Sequence, residues 1–359
     1  MSFFSALLLL ISFGVGDSSA LVAADLQDTT SSFIVEREFI YQKASFPSAH
    51  ASTIAETPSG TLLSAWFGGT SEGNDDVEIY LSRKKVGSAW STPVALTDIR
   101  DMPTWNPVLF QDGVKTWLFF KVGPNPREWV GAYRTSRDDG KTWSPIVYLP
   151  AGLTGPVRAK PIRLSDGTWL AGTSVEAGIR ADTREDAPYR AWAVWVERST
   201  DRGKTWTKQG PITVPGEPFG VIQPTLWEGP HGRVHMLMRS TERIGRIVSS
   251  SSNDRGLTWS PGRPTDLPNP NAGIDVVRLR DGRLLLVYNP THEGRTPISI
   301  AVSEDNGTTW SRPYTLEDGP GEYSYPAVIQ TKDGLVHITY TWKRTHIRHL
   351  VVDPSRIPR

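Results

Sequence analysis

The sequence predicts an all-β protein folded as a six-bladed β-propeller, and three observations lead to this prediction. A short turn motif is repeated four times, strand-like runs recur in six groups of three, and the composition suits short strands. The chain has 359 residues, 38% of them hydrophobic, with 14 Trp, 32 Gly and 28 Pro. This length allows a large core, and these residue types favour strands joined by tight turns over long helices.

The repeated motif has the form S-x-D-x-G-x-T-W. Its Asp accepts backbone N–H bonds, its Gly takes a positive φ, and its Trp packs under the turn. We therefore interpret the Asp residues as turn-forming rather than catalytic, in loops between the outer strands of the blades. The copies occupy 136–143, 199–206, 252–259 and 303–310, and a degenerate fifth copy runs from Ser82 to Trp90.

Strand-like runs divide the chain into six blades of three runs each. Blade six ends at Asp353-Pro354 without an outer strand, whereas 33–41 is an unassigned strand. Pairing the two would close the ring and leave no free sheet edge, so one propeller domain is expected over residues 33–354. The predicted runs are 50–56, 61–69 and 77–83; 105–111, 116–122 and 129–136; 159–164, 168–174 and 190–198; 221–228, 234–240 and 246–252; 274–279, 284–289 and 298–303; and 325–331, 336–342 and 347–351.

The first 24 residues read as a signal peptide, with an apolar run at 7–15 followed by small residues. The run is short for a membrane span, although a short anchor is the alternative because no Lys or Arg precedes it. After cleavage we expect a secreted or periplasmic protein without a membrane segment. The absence of cysteine excludes a disulfide framework and a thiol nucleophile.

Charge and motifs narrow the function classes further. Lys and Arg number 39 against 38 Asp and Glu, so no broad basic face is expected for nucleic acid. No Gly-rich phosphate loop precedes a helix, so no cofactor is implied. No metal-ligand cluster is evident either: His346 and His349 lie three apart on a strand-like run and are interpreted as surface residues.

The inner strands of a propeller begin near its central pocket, so functional groups are expected at the first residues of each blade. Polar and aromatic residues occupy several of these positions. Each taken alone has an alternative interpretation as a hydrogen-bonded core residue. The residues are His50, Trp105, Asn106, Gln223, Tyr323 and Tyr325.

Two arginines and one acidic loop complete the candidate site. Arg239 ends the second run of blade four, and Arg295 follows the second run of blade five. Two guanidiniums aimed into a pocket would bind a carboxylate in bidentate fashion, although surface positions are the alternative. The loop 70–76 contains Glu72, Asp75 and Asp76, which would supply a general acid or form a solvated turn cluster.

Together, the turn motifs, the blade count and the arginines resemble the sialidase (neuraminidase) superfamily with its BNR/Asp-box repeat, over the whole mature chain. The resemblance implies that Tyr325 is the nucleophile, that Arg239 and Arg295 bind the carboxylate of an acidic sugar, and that Asp75 or Asp76 is the acid/base. Two positions depart from the family pattern. His50 stands where sialidases have an arginine, and Gln223 where they have a glutamate.

Three functions follow from these residues, each with a glycan as the partner. The first is a sialidase-like exo-glycosidase that acts on an acidic sugar through Tyr325. The second is a polysaccharide lyase, in which His50 and Tyr325 are the base and acid for β-elimination from a uronate. The third is a glycan-binding propeller without catalysis. A neutral amide at Gln223 cannot usefully accept the tyrosine proton, so the resemblance favours an acidic sugar more than sialic acid itself.

Overall fold

The structure is a computed structural model that describes residues 32–177, 191–217 and 220–358. Six four-stranded antiparallel sheets follow one another along the chain, so the predicted all-β, six-bladed propeller is confirmed. Among the residues described, no helix is long and apolar enough to cross a membrane. The predicted signal peptide at 1–24 lies outside the described residues.

Each blade is a meander whose strands run from the centre of the ring to its rim. The first three blades contain β2 (Ser48–Glu56), β3 (Leu62–Gly69), β4 (Glu78–Lys84) and β5 (Val94–Ala95); β6 (Thr104–Asp112), β7 (Lys115–Val122), β8 (Val130–Ser136) and β9 (Val147–Tyr148); and β10 (Ile162–Arg163), β11 (Trp169–Ala177), β12 (Ala191–Ser199) and β13 (Thr207–Ile212).

The last three blades contain β14 (Val221–Glu228), β15 (Val234–Ser240), β16 (Arg246–Ser252) and β17 (Arg263–Pro268); β18 (Asp275–Arg278), β19 (Leu284–Tyr288), β20 (Ile298–Ser303) and β21 (Tyr314–Glu317); and β22 (Tyr323–Gln330), β23 (Val336–Trp342) and β24 (His346–Val352), with β1 (Ile34–Phe39) as the outer strand. Two short 3₁₀ helices lie at Pro230–Gly232 and Pro354–Arg356.

The ring is closed by the N-terminal strand. β1 pairs antiparallel with β24, with Arg37 opposite Leu350 and Phe39 opposite Arg348, so the chain contributes both of its ends to blade six. This pairing confirms the predicted closure and gives the third strand of blade six a partner on its outer side.

The histidines at this seam correct one prediction. His349 is fully buried rather than on the surface. Its Nδ1 lies 2.8 Å from a carboxylate oxygen of Glu38 on β1, and its Nε2 lies 2.9 Å from Nδ1 of His337. The imidazoles therefore satisfy one another and Glu38 across the closing strand, which makes burial of these polar groups tolerable.

The Asp boxes are turns between the third and fourth strands, as predicted. In the box at 303–310, Oδ1 of Asp305 accepts bonds from the Thr309 N–H at 2.8 Å and the Ser303 hydroxyl at 2.8 Å. Oδ2 accepts the Thr309 hydroxyl at 2.6 Å, and Gly307 has a φ of +90°. These bonds use the carboxylate to fold the loop. The box turns lie at one face of the propeller, and the inner strands begin at the opposite face.

Candidate active site

The starts of four inner strands share one backbone feature. A register shift interrupts β2, β6, β14 and β22 against their second strands, and one residue in each bulge has a positive φ. Such bulges redirect a side chain and store backbone strain at functional sites. The left-handed residues are Ala51 (φ +57°), Asn106 (+41°), Gln223 (+52°) and Tyr325 (+53°).

A proline follows three of these residues, and this explains the local geometry. Pro107, Pro224 and Pro326 have no backbone N–H, so the strand cannot continue its ladder at that point. The side chains of Asn106, Gln223 and Tyr325 all reach the centre of the ring. In blade one the corresponding residue is Ala51, so His50 is the neighbour of the bulged position rather than its equivalent.

These side chains line a central cavity of about 140 Å³ at the face where the inner strands begin. Five blades contribute to it, which places it near the axis of the ring. Larger grooves of about 600 and 640 Å³ lie against blade four at the Asp-box end, but the described residues lining them include no tyrosine. The central cavity is lined by Glu72, Trp105, Asn106, Pro126, Trp129, Glu176, Trp192, Ile222, Gln223, Arg239 and Tyr325.

Tyr325 is the centre of the polar contacts in this cavity. Its hydroxyl oxygen accepts a bond from Nη1 of Arg239 at 2.6 Å, and Nε2 of Gln223 lies 3.5 Å from the same oxygen. The Oε1 of Gln223 accepts from Nη1 of Arg239 at 3.2 Å. Tyr325 is 8% exposed, so its oxygen lies in a largely desolvated position beside a fixed cation.

Three guanidiniums surround the ring of Tyr325. Their Cζ atoms lie 5.7 Å (Arg239), 5.4 Å (Arg295) and 5.3 Å (Arg158) from its centroid. Nη1 and Nη2 of Arg158 donate to the carbonyls of Ser52 and Pro326 at 3.0 and 2.5 Å, which ties together the bulges of blades one and six. Burial lowers the pKa of Arg158 to about 10, so it remains a cation at neutral pH.

Sequence reasoning missed Arg158, which lies one residue before the predicted first strand of blade three. No periodicity distinguishes a buried guanidinium from an exposed one, since only the packing of blade three against blades one and six determines its burial. The sequence did contain a local signal for the bulges of the site. A proline follows the residue at the bulge in three of the inner strands.

The imidazole of His50 packs against the ring of Tyr325 at an interplanar angle of 51° but is not a charged ligand. Its ring centroid lies 4.1 Å from that of Tyr325, and its Nδ1 has no hydrogen-bond partner among the described residues. Burial lowers the pKa of His50 well below its ordinary value, and the positive charge of Arg344 lowers it further. The imidazole is therefore neutral at physiological pH, unlike the arginine for which it stands.

The remaining predicted residues fall into two groups. Trp105 lines the cavity and donates its indole N–H to the carbonyl of Gly123 at 2.7 Å. Tyr323, predicted as a substrate contact, is instead 1% exposed in the apolar core between blades five and six. Tyr323 and Tyr325 are two residues apart and would share one face of a regular strand, but the bulge at Tyr325 directs the two rings to different places.

The acidic loop is arranged differently from the prediction. Asp75 and Asp76 do not line the cavity, and Oδ2 of Asp76 accepts the Thr70 N–H and hydroxyl at 2.8 and 2.6 Å to hold its own turn. Glu72 of the same loop lines the cavity instead. Among the described residues, no group of three or more His and carboxylate side chains is arranged to hold a metal ion.

The fold and the cavity define a class: a six-bladed Asp-box propeller whose central cavity presents a tyrosine among arginines. Comparison with known proteins agrees. The family model for the BNR repeat-like domain matches residues 60–338. The chain belongs to this BNR-repeat, sialidase superfamily.

Two curated relatives that match this chain are sialidases. The chain is 26% identical over 231 residues to a sialidase from Bacteroides fragilis and 27% identical over 219 residues to one from Micromonospora viridifaciens. These alignments cover 59% and 57% of the chain but only 39% and 32% of the two relatives, so the chain spans well under half of their length.

Structural similarity covers nearly the whole propeller. A protein of unknown function from Dyadobacter fermentans superposes with a TM-score of 0.71 at 18% identity, over 89% of this chain and 98% of that one. A Hadza microbial sialidase superposes with a TM-score of 0.71 at 19% identity, over 87% of this chain and 66% of that one. Trypanosoma rangeli sialidase in complex with sialic acid superposes with a TM-score of 0.66 at 13% identity, over 88% of this chain and 56% of that one. At these identities the likeness establishes the fold.

Proposed function

We propose that the protein is a sialidase-like glycoside hydrolase that removes a carboxylate-bearing sugar from a glycan. The observation that carries the proposal is the contact between Arg239 and the Tyr325 oxygen at 2.6 Å in the central cavity. The proposal assigns Tyr325 the attack on the anomeric carbon, and Arg239 and Arg295 the sugar carboxylate. Sialidase relatives and neighbours support this reaction class.

Charge on the reacting atoms supports these assignments. In the proposed step the Tyr325 hydroxyl gives its proton to water, and Arg239 stabilises the resulting negative oxygen at short range. That oxygen then bonds to the anomeric carbon as the bond from this carbon to the leaving oxygen breaks. The leaving oxygen needs a proton, and two carboxyl groups, Glu72 and Glu176, line the cavity. The proposal assigns the proton to Glu72. Asp75 and Asp76, predicted for this role, lie on the same loop and remain the alternatives.

A lyase is the second candidate, and one specific observation favours it. Both close contacts to the Tyr325 oxygen, from Arg239 and Gln223, come from N–H donors rather than from a base that would accept its proton. A neutral His50 packed on the ring is the kind of group that abstracts a proton α to a uronate carboxylate. In this reaction Tyr325 would protonate the leaving oxygen.

One experiment separates hydrolase, lyase and binder. Purified protein is incubated with sialylated and uronate-containing oligosaccharides, with Tyr325→Phe as the test variant and Tyr148→Phe, at an exposed rim tyrosine, as the matched control. Free sugar released with retention by the wild type and Tyr148→Phe, but not by Tyr325→Phe, supports the hydrolase. Ultraviolet absorbance from an unsaturated uronate product supports the lyase and contradicts the hydrolase. Binding without either product supports a glycan-binding propeller.

We also propose export, with residues 1–24 as the signal peptide. Mass spectrometry of the mature protein recovered from periplasm or medium tests this. An intact N-terminus on protein retained inside the cell would contradict it.

A further inference from the structure

A guanidinium from blade six lies beside the place where blade one lacks its arginine. Arg344 is in the turn between β23 and β24, and its carbonyl accepts the N–H of Ala49 at 2.7 Å. Ala49 precedes His50, so this turn is docked against the start of the inner strand of blade one. Arg344 has a φ of +60°, which shows that the turn holds it in a specific backbone conformation.

One carboxylate joins Arg344 to the arginines of the cavity. Oε1 of Glu322 accepts from Nη1 of Arg295 at 3.1 Å and from Nε of Arg344 at 3.0 Å, and its Oε2 lies 3.1 Å from the same Nε. Burial alone raises the pKa of Glu322, but Arg344 and Arg295 outweigh it and hold that pKa below its ordinary value. Glu322 is therefore an anion that positions two guanidiniums side by side.

Arg295 in turn is connected to Arg239 through one asparagine. Nη2 of Arg295 donates to the carbonyl of Asn271 at 3.1 Å, and Oδ1 of Asn271 accepts from Nε of Arg239 at 2.5 Å. Arg239, Arg295 and Arg344 thus form a continuous arc of guanidiniums on the Tyr325 side of the cavity. Glu322 uses Nη1 of Arg295 and Nε of Arg344, so a ligand carboxylate would bind the N–H groups of the arc that Glu322 does not occupy.

The far end of this arc is covered by Glu72. Nη1 of Arg344 forms an ion pair with Oε2 of Glu72, and the two side chains are 33% and 38% exposed. Glu72 also lines the central cavity. Because both partners are accessible to solvent, the pair contributes little stability, and an incoming anion can replace it at small cost.

We infer that Arg344 is the third carboxylate-binding arginine of this site, supplied by blade six in place of blade one. We further infer that Glu72 occupies its guanidinium until the sugar carboxylate displaces it. The inference rests on the proposed function for its ligand, an acidic sugar. Arg344 would account for the neutral His50, because it restores from blade six the positive charge that blade one lacks. Displacement of Glu72 from Arg344 by the substrate would also free Glu72 to approach the leaving group.

Calorimetric titration with N-acetylneuraminate and with glucuronate tests the inference. We expect Arg344→Gln to weaken binding of the sugar that binds wild type by tenfold or more, since a charge-assisted bidentate contact is lost. Glu72→Gln removes the internal competitor and should strengthen binding several-fold. Arg255→Gln, which removes an exposed ion pair with Asp166 on the Asp-box face, is the matched control and should bind as wild type.

Arg344→Gln and Glu72→Gln are expected to change the affinity in opposite directions. A general loss of folding would lower both affinities and so cannot produce this result. Equal affinity of Arg344→Gln and wild type overturns the inference, and so does weaker binding by Glu72→Gln. If the affinities change as expected but no product forms, the arginine assignment stands and the hydrolase proposal fails. If wild type binds neither sugar, both are overturned.

Discussion

Nη1 of Arg239 donates to the oxygen of Tyr325 at 2.6 Å and to Oε1 of Gln223 at 3.2 Å. One guanidinium nitrogen thus contacts both the candidate nucleophile and the amide of Gln223, the position at which the resemblance to sialidases implies a glutamate. The contact is buried and water does not screen it, so the proposed function makes Arg239 the fixed charge that stabilises negative charge on Tyr325.

Replacing Arg239 with Gln should lower kcat about a hundredfold or more, because a preorganised charge at the reacting oxygen is lost. Steady-state kinetics, on whichever oligosaccharide the product assay shows to be the substrate, measures this. The control is Arg233→Gln, which removes an exposed arginine bonded to Ser251 far from the cavity and should leave kcat unchanged. A kcat for Arg239→Gln within a fewfold of wild type would show that Tyr325 does not need this cation.

Replacing Gln223 with Glu should raise the rate of a hydrolase by about tenfold or more, because a carboxylate beside Tyr325 can take up its proton. Asn106→Asp is the matched control, since it places a carboxylate at the equivalent left-handed position of blade two. The rate should rise for Gln223→Glu alone. A fall in the rate of Gln223→Glu, with a lyase product from wild type, would favour proton transfer by His50 and Tyr325.

Replacing Asp305 with Ala should lower the free energy of unfolding by about 1 to 3 kcal/mol, because the Thr309 N–H and the Ser303 hydroxyl lose their acceptor and each hydrogen bond contributes about 0.5 to 1.5 kcal/mol. The matched control is the exposed neighbour Glu304. Glu304→Ala should change the free energy of unfolding by less than about 0.5 kcal/mol. Urea unfolding followed by Trp fluorescence gives both values. Loss of activity in folded Asp305→Ala would contradict a purely structural role for the box.

Stability should fall as the pH is lowered from 6.5 toward 4. Burial and the neighbouring His349 lower the pKa of His337 from 6.5 to about 4, so the folded protein holds it neutral while the unfolded chain takes up a proton. Stability from this neutral state is complete above 6.5 and is lost as the pH falls toward 4. The slope is about 1.4 kcal/mol per pH unit for one proton.

His337→Gln should flatten this slope, because Gln can donate to the same acceptor without titrating. His231→Gln, at an exposed residue on the far side of blade four, is the control. Chemical unfolding at a series of pH values measures the slope. An unchanged slope in His337→Gln would assign the acid sensitivity to other groups, of which the buried His50 and the half-buried His235 are candidates with lowered pKa values.

Repetition made much of the fold predictable. The Asp box recurs with its Asp, Gly and Trp in fixed places, and the local hydrogen bonds of the turn require those residues regardless of the rest of the chain. Strand runs such as 105–111 and 234–240 were placed within a residue or two of β6 and β15. The least accurate was the first strand of blade three, which pairs only over Ile162–Arg163 where 159–164 was expected.

Several site residues were predictable for the same reason: they begin inner strands, and inner strands begin at the axis. Asn106, Gln223 and Tyr325 lie in one cavity as expected. Tyr323 was not separable from Tyr325 by sequence, because the bulge that sends one ring to the cavity and the other to the core depends on the register with β23. The acidic residue that the loop 70–76 contributes to the cavity, Glu72 rather than Asp75 or Asp76, depended on how the loop folds.

The sequence by itself determined the repeat, the number of blades and the strand that closes the ring, because each depends on contacts within a turn or between neighbouring strands. The tertiary structure alone decided the electrostatics of the cavity. Arg158 and Arg344 reach Tyr325 and His50 from blades three and six, and Glu322 holds two guanidiniums together across blades five and six. Coulomb interactions act through space, so charges far apart in the chain become neighbours only when the ring closes.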